Sequence, residues 1–132
     1  MKRNVLLTVT SLLSILLLTF HLTEDIVRGF EPGKASTFVG VLILAVWLYA
    51  TLALAERRSG LVIVLLASIL ASGVPFVHMR GAGLVGGRIA GSSGVFFWVF
   101  TLLALGVTGV VSVILSAGAL WSLRGNRSRP GS

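Results

Sequence analysis

The chain holds two histidines, His21 and His78, and four carboxylates, three of which fall between Glu24 and Glu31. Two imidazoles and two carboxylates are a sufficient donor set for a divalent metal such as zinc. His21, His78, Glu24 and Asp25 are therefore the candidate ligands, with a carboxylate also available to orient an imidazole. Two histidines on different helices can alternatively ligate one haem, and a histidine–carboxylate pair can relay protons. In His21-Leu-Thr-Glu24-Asp25-Ile-Val-Arg28 the ionisable residues recur at i, i+3, i+4 and i+7, which puts them on one helix face, and Ser14 continues that stripe. The plainer alternative is two ordinary helix pairs, His21–Asp25 and Glu24–Arg28, with no ligand between them.

A second candidate is the stretch from Arg80 to Gly94, which carries six glycines together with Arg80 and Arg88. Backbone amides and two arginines suit an anion, so Arg80 and Arg88 are expected to meet a phospholipid headgroup or an acidic partner. Gly81-x-Gly83-x-x-Gly86 formally matches a dinucleotide fingerprint. It lacks the preceding strand and surrounding βαβ unit that give the motif its meaning.

Other chemistry is excluded by composition. The chain has no cysteine, which removes disulfides, iron–sulfur clusters and thiol chemistry. No nucleophile–base–acid set is readable, so no catalytic residues are assigned. The net charge of +7 raises the question of nucleic acid. Its distribution along the chain argues for membrane topology instead.

The elements that must position these groups follow from where charge is absent. Of 132 residues 55% are hydrophobic and only 11% charged, against about 25% charged in soluble domains. Residues 4–23, 35–55, 59–79 and 89–123 carry no charge at all. Each gap reaches the roughly 20 residues that a helix needs to cross hydrocarbon. The expected fold is an all-α integral membrane protein, a four-transmembrane-helix antiparallel bundle with spans of about 5–28, 37–55, 60–78 and 95–123. Pro75 is expected to kink the third span. Trp98 and Trp121, near the ends of the fourth, read as interfacial rings.

Basic residues sort by loop. Lys2, Arg3, Arg57, Arg58, Arg124, Arg127 and Arg129 fall on one side, against Arg28, Lys34, Arg80 and Arg88 on the other, where Glu24, Asp25 and Glu31 dilute them. The positive-inside rule then puts the N and C termini in the cytoplasm and both histidines at the outer boundary. Phe20-His21-Leu-Thr-Glu-Asp25 offers no small-x-small cleavage site, so the first span is expected to stay in place. Residues 124–132 read as a disordered basic tail that contacts anionic lipid headgroups at the cytoplasmic face.

Helices in lipid associate through small residues and weak polar contacts. Ser68 and Ser72 in the third span, with Ala104, Thr108, Ser112 and Ser116 in the fourth, are the expected packing faces. Trp47 and Tyr49, mid-span, each call for a hydroxyl partner on a neighbouring helix. The leading functional expectation is a non-catalytic structural or accessory subunit that packs with itself or with a larger membrane complex. The alternative is a metal-binding, haem-binding or proton-handling protein using the His/carboxylate cluster. A small oligomeric transporter comes third: length and span count are similar to the small multidrug-resistance exporters, but those rely on an acidic residue in the first span and Val5–Phe20 has none. The expected location is a bacterial or archaeal inner or plasma membrane, with the bilayer as the principal partner and no nucleic acid.

Overall fold

A computed structural model of the chain describes residues 2–30, 33–80, 83 and 89–127. The expected anion contact of Arg88, most of the Gly-rich stretch around it and residues 128–132 of the expected tail lie outside the described residues, whereas residues 124–127 of that tail continue the last helix. Four helices follow one another: α1 (Lys2–Val27), α2 (Lys34–Ala53), α3 (Arg58–His78) and α4 (Val95–Arg127). All four are long and apolar enough to cross a membrane, and no strand occurs among the described residues. The architecture is that of a multi-pass membrane protein.

Helix ends are fixed by local chemistry. α1 stops where Gly29 adopts φ +69°, a left-handed conformation that costs glycine nothing. The Phe30 amide then donates to the Asp25 carbonyl at 2.8 Å and the Gly29 amide to that of Ile26 at 3.1 Å. This paired closure satisfies carbonyls that the last turn leaves open. It also pins the backbone of Asp25. Pro75 lies inside α3 without ending it, and its ring is seated against Gly106 of α4.

The helices run alternately up and down. Ser11, early in α1, bonds Thr51, late in α2, while Ser68 and Ser72 of α3 lie against Gly109 of α4. Neighbours around the ring are α1–α2–α3–α4, with α4 packed most extensively on α3 and α1. One diagonal, α1 to α3, is also in contact. The chain therefore starts and finishes at the same end of the bundle, and the C-terminal ends of α1 and α3 meet at the other.

Midway along α3 and α4, close approach depends on a second glycine. A Cβ at Gly109 would lie 2.8 Å from the Ser72 amide nitrogen and 3.2 Å from the Ser68 carbonyl oxygen, both backbone atoms with nowhere to move. Of the small residues expected at this face, Ser68, Ser112 and Ser116 are fully buried, while Ser72, Ala104 and Thr108 are half-buried. Leu102 and Leu105 complete the buried line of α4.

Lower in the bundle, Trp47 is completely buried and its indole N–H donates to Ser11 Oγ at 2.8 Å. Ser11 Oγ shares a second hydrogen bond with Thr51 Oγ1 at 2.7 Å. This meets the expected need of a mid-span indole. Tyr49 points outward and is exposed. Ser11→Ala strands the Trp47 donor in an apolar interior and is expected to destabilise the protein by about 1–2 kcal/mol. In a double-mutant cycle with Trp47→Phe, melting in mild detergent is expected to reveal less-than-additive losses, because the second change removes the stranded donor. Additive losses contradict the bond.

Candidate metal centre

The end where α1 and α3 meet is where the ionisable residues gather. His78 closes α3 and His21 lies in the last two turns of α1, and the parallel direction of the two helices brings the two residues to the same depth. His21 Nε2 lies 3.3 Å from His78 Nε2 and 3.4 Å from Asp25 Oδ2, and His78 Nε2 lies 3.7 Å from the same carboxylate oxygen. Three potential ligand atoms thus form a small triangle. His21 and Asp25 are buried and His78 is half-buried.

Two of the three corners, His78 and Asp25, are held from behind. His78 Nδ1 is 2.9 Å from the Val74 carbonyl oxygen. A carbonyl only accepts, so Nδ1 carries the proton, and in the neutral ring Nε2 presents its lone pair to the triangle. The other oxygen of the carboxylate, Asp25 Oδ1, accepts from the Trp98 indole N–H at 3.1 Å. Trp98 also packs on both imidazoles, with ring centroids 5.7 Å from His21 and 5.4 Å from His78. An indole at this place was expected at the lipid–water interface. Instead it is buried, because Asp25 offers its N–H a partner that lipid cannot, whereas Trp121 is exposed as an outward ring should be.

Glu24 takes a different path. Its carboxylate pairs with Arg28 at 3.3 Å, and Arg28 reaches on to Ser92 Oγ at 3.2 Å and the Ser93 carbonyl at 3.0 Å. The one-face stripe read from the sequence is therefore two half-faces. Residues four apart are about 40° apart around a helix, whereas His21 and Glu24 are about 60° apart in the opposite sense. His21 and Asp25 turn into the bundle; Glu24 and Arg28 strap α1 to the segment that leads into α4. Arg80 lies exposed just beyond His78 at the same end.

No family model, curated protein or solved structure matches the chain.

What the arrangement can do must then be read from its own geometry. A tetrahedral ion with bonds of about 2.0–2.2 Å to nitrogen and oxygen separates its ligand atoms by about 3.3–3.6 Å. Two edges of the triangle of His21, Asp25 and His78, 3.3 and 3.4 Å, fall in that range, and the third, 3.7 Å, lies just above it. Haem does not fit the same pair. The two Nε2 atoms are within hydrogen-bond distance of each other, so no porphyrin plane can lie between them. Beside the triangle, a cavity of about 500 Å³ runs between α1, α2 and α3, lined by apolar side chains except where it reaches His21, Asp25 and His78.

Proposed function

We propose that this multi-pass membrane protein binds one divalent transition-metal ion of the zinc type through His21 Nε2, His78 Nε2 and Asp25 Oδ2. The observation that carries this reading is the triangle itself, whose edges lie within or just above the range of tetrahedral coordination before any ion is placed. Support comes from the shell behind it: a carbonyl fixes the His78 tautomer and an indole holds the idle carboxylate oxygen, as outer partners do around metal ligands. Two neutral imidazoles and one carboxylate leave one position of a tetrahedral ion for a water or a further ligand. The set has one negative charge, so a divalent ion is half neutralised on binding.

The accessory-subunit reading drew on the lack of catalytic groups within the spans and on the small-residue packing faces. A buried His–Asp–His set within two of the apolar helices supports metal binding ahead of it, since such groups are costly in lipid and mark function when they are kept. We further take the positive-inside asymmetry to place the chain ends in the cytoplasm, which puts the metal at the outer edge of the bilayer.

Zinc titration of the purified protein in mild detergent is expected to give one ion per chain. Affinity is expected to fall as pH drops through the imidazole range, near 6.5 for free histidine, because protons and metal compete for the same lone pairs. Elemental analysis that finds no metal after zinc loading, together with a flat isotherm at pH 7.5, overturns the proposal.

A further inference from the structure

We infer that the cavity beside His21, Asp25 and His78 takes the tail of a single-chain lipid whose head is uncharged and bears a hydroxyl, such as a long-chain alcohol or a quinol. The walls argue for an apolar body. Ile43 of α2 and Ala67, Leu70 and Val77 of α3 line about 500 Å³ of space. Two of the lining residues, Leu70 and Val77, are exposed at the outside of the bundle, and both flanking helices, α2 and α3, are long and apolar enough to lie in a bilayer. An acyl or isoprenoid chain enters from the membrane without crossing water.

The closed end argues for the head. Its polar groups are a carboxylate and two imidazoles. In the metal-free site an anionic head is repelled by Asp25. A hydroxyl answers both neighbours: it donates to the carboxylate and accepts from an imidazole N–H. With an ion in the triangle, the same oxygen is an ordinary ligand for the remaining coordination position. The inference goes beyond the metal reading but does not need it, because the polar atoms stand there with or without an ion.

Space for the occupant is maintained by an absent side chain. A Cβ at Gly73 would meet nothing within 4 Å, so the position opens directly into the cavity. Gly73→Leu fills that space from within α3 while leaving His21, Asp25 and His78 untouched. Leu70→Trp narrows the rim at an exposed position, so it tests the same cavity should Gly73→Leu fold poorly.

The test uses the whole protein in phosphatidylcholine nanodiscs and three photoreactive probes that carry a mid-chain diazirine: hexadecanol, a quinol with an alkyl tail, and hexadecanoic acid. Saturable labelling of residues 40–43 and 67–77 is expected from the alcohol, the quinol or both, and which of them labels identifies the source of the hydroxyl. Labelling of the metal-free protein by the acid at pH 7.5 is expected to be at least tenfold weaker. Both variants are expected to lower hydroxyl-probe labelling at least tenfold while zinc stoichiometry stays at the wild-type value. Labelling that never saturates signifies annular lipid only and overturns the inference. So does equal labelling of the metal-free protein by the acid, or labelling that neither variant reduces. A failed zinc titration with intact, selective labelling sinks the metal proposal and leaves this one standing.

Discussion

Asp25→Asn is expected to abolish tight zinc binding while leaving the helical bundle folded. The amide oxygen can still accept from Trp98 Nε1, so the hydrogen bond at 3.1 Å survives in kind. The anionic ligand 3.4 Å from His21 and 3.7 Å from His78 does not. Loss of an outer-shell partner costs about 10–100-fold in metal affinity, and loss of a ligand exceeds that. Asp25→Ala adds a structural cost, because the buried indole donor is then left unmade at about 1–3 kcal/mol. The pair of variants separates the two roles: zinc titration responds to both, whereas apo-protein melting responds chiefly to Asp25→Ala. Wild-type zinc affinity in Asp25→Asn removes Asp25 from the ligand set.

The second large effect belongs to the fold. Gly109→Ile is expected to disrupt the α3–α4 interface, because its first side-chain atom already falls 2.8 Å from the Ser72 nitrogen. The obstacle is helix backbone, so relief requires the helices to separate. Overpacking costs typically about 1–3 kcal/mol even where side chains can adjust. Here they cannot, and loss in excess of that range is expected. Gly118 is the control: a Cβ there meets nothing within 4 Å, so Gly118→Ala is expected to be neutral or mildly stabilising. Unfolding in mixed detergent, followed by circular dichroism, should move for the first variant and stay for the second. Equal midpoints contradict the reading of Gly109 as a contact point.

How far this was legible in the sequence differs between fold and site. Four helices follow from four gaps in charge, since an unpaired ionisable group is nearly forbidden in hydrocarbon and its absence over twenty residues is hard to arrange otherwise. The meeting of His21 with His78 was half legible: alternation of direction sends α1 and α3 to the same end, but distance within that end is a matter of packing. Trp98 was read only as a boundary marker, and its bond to Asp25 went unseen because the two are 73 residues apart and no local spacing announces the pair. Ser11, too, went unnoticed among many small residues of α1, although it partners the very indole that the sequence singled out. Local pairs such as Glu24–Arg28 were readable from spacing alone. Donors and acceptors joined across helices were not.

The diagonal contact between α1 and α3 has a consequence for how the protein is made. Synthesis delivers α1 to the bilayer first, with His21 and Asp25 near its far end, and the imidazole that completes them follows 57 residues later. Until then an ionisable pair stands at membrane depth without its third member, and Trp98 arrives later still. An ion captured by the finished triangle would hold the first and third helices together across the bundle, adding to the loop connections a clasp that only a fully inserted chain can close. Zinc supplied during membrane insertion should therefore raise the yield of correctly assembled protein, and a chain truncated before His78 should gain nothing from it.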